Sequence, residues 1–229
     1  MALISSSHGD GVHELRLNRP RRLNALTHAL VRELHAALQA ALADASVRAI
    51  LIAAEGRAFC AGKDRDDPPS PGFVDDLQAL AHTMVDAPKP ITCAVQGWVV
   101  GAGLELMLGA DLVIAARSAR FALPEVDVGL FGTGGLAALL PRAIGLQKAK
   151  GLMLLGQEIA ADDAERWGLV WQIVDDAALH EHALQVVRAL ARKSPPLLAE
   201  VKRLLHREQL GDFGEALRRE AEVHARLSI

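Results

Sequence analysis

Aromatic residues are scarce in this sequence: they make up 3% of its 229 residues, and tyrosine is absent. Hydrophobic residues nevertheless account for 51% of the chain. A core with so few rings must be built from aliphatic and alanine side chains, which favours helices packed on a sheet of valine, isoleucine and leucine. The length is sufficient for one large domain, or a domain with a helical appendage.

The sequence also has no excess of positive charge and only two cysteines. The formal net charge of −3 gives no basic field for nucleic acid or for anionic membranes. Two cysteines, Cys60 and Cys93, form no disulfide framework and favour a reducing compartment. The first residues lack the positive segment and apolar run of a secretory signal, so a cytoplasmic location is expected.

What the sequence does contain is an alternation of aliphatic strands and amphipathic helices. Strands are predicted at 12–17, 48–54, 91–95, 111–115 and 170–174. Helices are predicted at 30–42, 73–84, 135–142, 146–155 and 161–167, and from 177 onward with a break at 194–196. Strands followed by helices indicate parallel crossovers rather than hairpins.

Three local features of this pattern carry further expectations. Either Asn24 or Thr27 is a candidate cap for the first helix. The segment 121–125 is predicted to be irregular. A loop that contains Pro68, Pro69 and Pro71 cannot be regular structure.

The apolar stretch 95–111 contains a carboxylate in its middle, Glu105. An ionised carboxylate in apolar surroundings must be paired, hydrogen-bonded or neutralised by a raised pKa. Three ordinary explanations are a membrane span, a dinucleotide-binding turn and a core helix whose glutamate reaches solvent. Glu105 and Asp111 oppose the first, and Leu106 stands where the second requires a third glycine. The third is the alternative to a functional carboxylate.

Two glycine turns follow buried strands, at 61–63 and 101–103. Such turns leave backbone N–H groups with little steric cover, and the second opens a helix whose dipole favours negative charge. Donors of this kind are what a developing oxyanion needs. A second glutamate, Glu125, follows in the chain, and paired carboxyl groups of separated pKa can divide acid and base work.

At these positions the sequence resembles the crotonase superfamily, the enoyl-CoA hydratase/isomerase family. Five segments carry the resemblance, in the family's order and at its separations: 17–26 (LNRPRRLNAL), 56–64 (GRAFCAGKD), 89–115 (KPITCAVQGWVVGAGLELMLGADLVIA), 121–135 (FALPEVDVGLFGTGG) and 154–174 (LLGQEIAADDAERWGLVWQIV). Each segment alone is of low specificity, but five in register are highly specific.

The resemblance implies an α/β fold, the crotonase-like spiral of repeated ββα units, over residues 1–194. Residues 195–229 then form a C-terminal helical, trimerisation region that is shorter than usual in the family. The expected assembly is a homotrimer or a dimer of trimers, with an acyl-CoA as the small-molecule substrate and with no nucleic acid or membrane partner.

The resemblance also implies a site. The family holds the carbonyl group of a coenzyme A thioester between two backbone N–H groups, which correspond here to Lys63 and Ala102. Two glutamates that flank a water in the hydratases correspond to Glu105 and Glu125, and retention of both favours hydration. Glu105 then activates the water and Glu125 exchanges the proton at the α carbon. No metal and no permanently bound cofactor is expected, because the substrate itself carries coenzyme A.

Residues near the first two loops are candidate contacts of coenzyme A. They are Arg21, Arg22, Arg57, Ala61 and Lys63. For Arg21 and Arg22, a solvated surface pair is an equal alternative. Asp127 and Thr133 are candidates for the acyl pocket.

Cys60 and a histidine pair suggest other chemistry. Cys60 is predicted to be a small buried residue rather than a nucleophile. His180 and His182 point apart on a helix, so an exposed helix face is predicted in place of a metal site.

The favoured function is that of an enoyl-CoA hydratase. The alternatives within the family are an enoyl-CoA isomerase and an acyl-CoA hydrolase or decarboxylase. Outside the enzymes, the alternative is a non-catalytic member that binds coenzyme A or RNA.

Overall fold

The computed structural model describes residues 3–67 and 72–227. Within them the strands are β1 (Ile4–Gly9), β2 (Val12–Leu17), β3 (Ala49–Ala54), β4 (Ile91–Val95), β5 (Trp98–Val100), β6 (Leu112–Ala116), β7 (Arg120–Ala122), β8 (Ile159–Ala160) and β9 (Gln172–Val174). The α-helices are α1 (His28–Ala43), α2 (Phe73–Asp86), α3 (Ala102–Leu108), α4 (Leu136–Ile144), α5 (Leu146–Leu155), α6 (Ala161–Trp167), α7 (Leu179–Ala191), α8 (Pro195–Leu210) and α9 (Phe213–Leu227). The predicted proline loop at 68–71 lies outside the described residues.

The strands form two sheets. The larger has the order β1-β2-β3-β4-β6-β9, and the smaller has the order β5-β7-β8. All neighbours from β2 to β9 in the larger sheet are parallel, which confirms the predicted crossovers. β4 and β6 lie in the larger sheet, whereas β5 and β7, which directly follow them, pair with each other in the smaller one. This repeated strand-strand-helix turn is the predicted ββα spiral.

The larger sheet is aliphatic because helices cover both of its faces. All six residues of β3 are buried. On one face, Ile50 and Ile52 share a core with Leu34 of α1. On the other face, Leu51 shares a second core with Val187 of α7. A strand buried on both faces reads as a continuous apolar run rather than as an alternation.

The two candidate caps of the first helix have different roles. The Thr27 side chain accepts a hydrogen bond of 3.1 Å from an amide in the first turn of α1, so Thr27 is the cap. Asn24 is fully buried with a φ of 54°. Its side chain donates to the carbonyl oxygens of Glu55 and Ala58, both at 2.8 Å, and accepts from the Arg19 amide at 2.8 Å. Asn24 therefore ties the turn after β2 to the loop after β3.

One local prediction is wrong. Part of the segment 121–125 is not irregular, because residues 121 and 122 lie in β7, which pairs in parallel with β5. Three residues are too few to show periodicity, so the partner strand decides the conformation.

The C-terminal helices differ in what they contact. α8 begins at Pro195, and its apolar side chains are largely exposed: Leu197, Val201, Leu204 and Leu205. α9 packs back on α2 and α4 through Phe213 and Leu217. A domain boundary at 194 remains a prediction. In the part of the chain that the structure describes, no helix has the length and apolar character required to span a membrane.

Candidate active site

The two glycine turns lie side by side because the segments before them are paired. Cys60 and Val99 form a parallel bridge, with backbone hydrogen bonds of 3.0 Å on both sides of Cys60. Parallel segments leave such a pairing in the same direction. The turns that follow, at 62–63 and 101–102, are therefore adjacent.

Glycine is needed for this close approach. A Cβ on Gly62 would lie 3.0 Å from the carbonyl oxygen of Val100 and 3.8 Å from the nitrogen of Ala102. Gly101 has a φ of 52° and a ψ of −123°, a conformation that residues with a Cβ rarely adopt. The backbone amides of the two loops can approach each other only because both side chains are missing.

The amides of Lys63 and Ala102 are available as donors. Among the described residues, neither amide donates a hydrogen bond. Ala102 is the first residue of α3, so its N–H belongs to the amides that a helix leaves unpaired. The Lys63 ammonium lies 5.1 Å from the centre of the Phe73 ring. Two such donors at adjacent turns are suited to a carbonyl oxygen that gains negative charge.

Glu105 lies in the first turn of α3 and is 3% exposed. Its Oε2 accepts a hydrogen bond of 3.1 Å from the Gly134 amide, and its Oε1 is buried without a partner among the described residues. Burial, followed by the charges of Glu220 and Glu125, raises the pKa of Glu105 to about 8. The alternative of a core helix whose glutamate reaches solvent is therefore wrong.

Glu125 opens a short 3₁₀ helix, Glu125–Val128, soon after β7. Its Oε2 is buried and has no partner among the described residues. A Cβ on Gly101 would lie 2.5 Å from its Oε1, so this carboxyl group lies directly against the second glycine turn. Desolvation raises the pKa of Glu125. Both glutamates thus offer a buried oxygen without a partner among the described residues: that of Glu105 lies against the turn at 132–134, and the carboxyl group of Glu125 lies against the turn that carries the Ala102 amide.

A cavity of about 10 Å³ adjoins Glu105, which is roughly the space that one water requires. Its wall is largely apolar and includes Leu77, Leu80 and Met84 of α2. These side chains contribute to the burial that raises the pKa of Glu105. A wider cleft of about 790 Å³ lies elsewhere, between the end of α2, α8 and the start of α9, and neither Glu105 nor Glu125 lines it.

A further buried carboxyl group, that of Glu220 in α9, was not anticipated from the sequence. Glu220 is 3% exposed, and it accepts hydrogen bonds from the amides of Gly135 at 2.7 Å and Ala137 at 2.6 Å. Desolvation raises its pKa to about 7. The sequence feature that could have revealed Glu220 is its spacing from Phe213 and Leu217. This spacing places the three residues on one face of the helix, which is the buried face of α9.

The candidate contacts of coenzyme A surround the first glycine turn. Arg22 forms ion pairs with Asp64, at 3.2 Å, and with Asp66. The Ala61 amide is already used in a backbone hydrogen bond of 3.0 Å. Arg21, Arg22 and Arg57 are exposed. The Arg22 side chain thus holds the loop at 64–66 through its ion pairs. Contacts of these residues with a ligand remain predictions.

The two acyl-pocket candidates lie in different surroundings. Thr133 is 5% exposed and is adjacent in the chain to Gly134, which binds Glu105. Asp127 is exposed, on the 3₁₀ helix that Glu125 opens. Only Thr133 is therefore close to the buried carboxyl groups in the described structure.

The other reactive side chains have structural partners. Cys60 is fully buried, as predicted, and desolvation raises its pKa to about 12, so the thiol stays protonated. His180 forms a hydrogen bond with Glu14 at 3.0 Å, and His182 forms one with Gln172 at 2.9 Å. Within the described residues, no three side chains of the metal-ligating types form a candidate metal site.

The chain is similar to known proteins over most of its length. The sequence model described as enoyl-CoA hydratase/isomerase matches residues 7–227. A 1,2-epoxyphenylacetyl-CoA isomerase of Escherichia coli is 38% identical over 90% of this chain and 82% of its own length. A probable enoyl-CoA hydratase of Rhodobacter capsulatus is 36% identical over 86% of this chain and 78% of its own length.

Solved structures give the same result for the fold. An enoyl-CoA hydratase from Mycobacterium avium subsp. paratuberculosis superposes with a TM-score of 0.94 at 28% identity, over 99% of this chain and 94% of its own. An enoyl-CoA hydratase/isomerase from Pseudoalteromonas atlantica gives a TM-score of 0.91 at 32% identity, over 99% and 91%. The chain therefore belongs to the enoyl-CoA hydratase/isomerase family.

Proposed function

We propose that this chain is an enoyl-CoA hydratase, which adds water across the α,β double bond of an acyl-CoA thioester. One observation supports this most strongly. Glu105 is buried and Glu125 is half-buried, and each keeps a buried carboxyl oxygen without a partner among the described residues. Glu125 lies against the turn that carries the Ala102 amide, which donates no hydrogen bond within the described residues. Such oxygens are costly to bury, and a reacting water between them satisfies both.

The proposed reaction begins at the thioester carbonyl. The amides of Lys63 and Ala102 donate to its oxygen and draw electron density away from the β carbon. Glu105 accepts a proton from water while the water oxygen bonds to the β carbon, and the charge of the resulting enolate rests on the oxygen bound by the two amides. Loss of one such donor costs about 2.7–4 kcal/mol.

Collapse of the enolate completes the addition. Glu125 gives its proton to the α carbon, so one carboxyl group gains a proton as the other loses one. In dehydration the two glutamates exchange roles. Arg21, Arg57 and the Lys63 ammonium are proposed to meet the phosphates of coenzyme A, and a homotrimer or a dimer of trimers is the proposed assembly.

An enoyl-CoA isomerase is the second candidate. The relative from Escherichia coli is named an isomerase, at 38% identity. Isomerisation moves a proton between carbon atoms and takes up no water, so it requires only one carboxyl group at the reacting atoms. A second glutamate with a buried carboxyl oxygen that has no partner among the described residues supports hydration instead.

The test is incubation of the protein with a short 2-enoyl-CoA in oxygen-labelled water. We expect loss of the conjugated thioester absorbance, together with one labelled oxygen in a 3-hydroxyacyl product. A product with a displaced double bond and no label would favour the isomerase. Binding of the thioester without any conversion would contradict both enzymatic functions.

The rate of hydration is expected to depend on pH through Glu105. Because its pKa is raised to about 8, most molecules at lower pH hold Glu105 in the protonated form, which cannot accept a proton from water. We expect a bell-shaped dependence of kcat/KM for hydration on pH, because the rate rises at low pH as Glu105 ionises and falls at high pH as Glu125 loses the proton that it gives to the α carbon. Initial rates measured from pH 5 to 9 check this, and a rate that stays constant over this range would contradict it.

A further inference from the structure

The start of α4 is held by a residue from the other end of the fold. The first amides of a helix have no partner within it. Ala137 in the first turn of α4 and Gly135, the residue before this helix, donate to the two carboxyl oxygens of Glu220 in α9. A helix distant in sequence thus caps the helix that follows the glycine turn at 132–135.

The same turn carries the hydrogen bond to Glu105. Gly134 donates to Glu105 Oε2 at 3.1 Å, and the next amide along the chain donates to Glu220. A Cβ on Gly134 would lie 2.9 Å from Glu105 Oε2, so the turn and the carboxyl group are in contact. The orientation of the Gly134 amide therefore depends on where Glu220 holds the adjacent peptide.

Two further contacts join α9 to this turn. The Gln78 side chain of α2 donates to the carbonyl oxygens of Thr133, at 2.9 Å, and Leu217, at 2.7 Å. A Cβ on Gly135 would lie 2.6 Å from the Phe213 ring. The turn is thus fixed by α9 through a carboxylate, a bridging amide and a ring, all buried or partly buried.

We propose that Glu220 is a positioning residue for Glu105: it fixes the turn at 132–135 and keeps a negative charge beside the Glu105 carboxyl group. The kinetic part of this inference rests on the proposed hydration, because only there does Glu105 act on a water. The structural part concerns the protein without substrate.

Hydrogen bonds from two backbone amides favour the ionised form of Glu220, whereas its burial raises the pKa of the group. Among the described residues, no arginine or lysine forms an ion pair with Glu220, and two amides donate to it instead. Charged groups on α9 such as Glu215 pair with arginines of the same helix. Of the elements packed against α9, α2 contributes Gln78 and His82 near the turn and the Phe213 ring, and α4 contributes Arg142; the charge of Glu220 also acts on Glu105 of α3.

The direct test is Glu220→Gln, which keeps the size of the side chain but has one acceptor oxygen and no charge. In the substrate-free protein, carbon NMR of labelled glutamate carboxyl groups should show Glu105 titrating about one pH unit lower than in the natural protein. Hydrogen exchange of the Gly134 amide should become about tenfold faster. Glu215→Gln, on the exposed side of the same helix, is the control and should change neither.

Kinetics provide a second readout. At the pH of maximal rate, Glu220→Gln should lower kcat about tenfold with KM within about twofold, because the substrate contacts remain while Glu105 is less well placed. The acidic limb of its pH profile should move to lower pH. A role in folding alone would lower the thermal stability but would leave this limb in place.

Replacement of Glu220 by the shorter aspartate separates the effect of its charge from the effect of its hydrogen bonds to the turn. Glu220→Asp should leave the titration of Glu105 near its natural pH while still releasing the Gly134 amide. If the natural protein does not hydrate enoyl-CoA, the proposed function fails, but the NMR titration and the exchange rates still decide the present inference. Unchanged titration of Glu105 and unchanged exchange of Gly134 in Glu220→Gln would overturn it.

Discussion

Replacement of either glutamate by glutamine is expected to lower kcat for hydration by about 10²- to 10⁴-fold, the usual contribution of a positioned acid or base. Glu105→Gln removes the acceptor of the water proton, and Glu125→Gln removes the donor to the α carbon. Both substitutions preserve size, so the thioester should still bind with an unchanged Kd. Steady-state rates and calorimetric binding of a saturated acyl-CoA measure the two effects separately.

Loss of activity in Glu105→Gln should not come from unfolding. In the folded protein the pKa of Glu105 is raised from 4.5 to about 8, so between these values the folded state holds a proton that the unfolded state has lost. The free energy of unfolding therefore falls by about 1.4 kcal/mol for each pH unit as the pH rises through this range. Glutamine removes this dependence, and the variant should be the more stable protein above pH 8.

A matched control completes this experiment. Glu208→Gln removes an exposed carboxylate that pairs only with Arg207 among the described residues, and it should leave kcat unchanged. If Glu105→Gln or Glu125→Gln kept a rate within threefold of the natural protein, the two-carboxylate mechanism would be wrong.

Gly101→Ala is expected to have a comparably large effect, with a loss of at least about 10²-fold in kcat/KM. The added Cβ would lie 2.5 Å from Glu125 Oε1, and it would stand in a backbone conformation with a φ of 52° and a ψ of −123°. Relief of either conflict moves the Glu125 carboxyl group or the adjacent Ala102 amide. Both are proposed to act on the substrate, and loss of one oxyanion donor alone typically costs 10²- to 10³-fold.

Gly145→Ala is the control that separates the effect of backbone strain on stability from the effect of the Gly101 substitution on the active site. Gly145 also has a left-handed φ, of 79°, but a Cβ there would meet no atom within 4 Å. We expect both alanine variants to lose about 1–3 kcal/mol of stability and only Gly101→Ala to lose activity. Equal rates in the two variants, measured below their melting temperatures, would contradict the placement of Glu125 against Gly101.

The long, strongly patterned elements could be predicted from the sequence. The strands at 12–17 and 91–95 and the helices at 146–155 and 161–167 have the predicted bounds, because each buries a continuous run or a regular apolar face. β1 could not be predicted, since its sequence ISSSHG shows neither pattern and its pairing with β2 determines its conformation. The three-residue strands β5 and β7 depend in the same way on each other.

The site was predictable only where a residue type stands out from its surroundings. Glu105 is conspicuous in an apolar stretch, and its burial follows from that setting. Glu220 is one of many charges in α9, and only the fold shows that its carboxyl group lies beside Glu105 rather than in solvent. Arg19 and Asp64 likewise form a partly buried ion pair of 3.0 Å beside the first glycine turn, although no motif joins them in the sequence.

A crystal structure with an unreactive acyl-CoA tests the central claim most directly. We expect the thioester oxygen to lie about 2.7–3.1 Å from the amide nitrogens of both Lys63 and Ala102. The carboxyl groups of Glu105 and Glu125 should then face the β and α carbons of the acyl chain. A thioester oxygen bound to any other group, or either carboxyl group turned away from these carbon atoms, would contradict the proposed hydration.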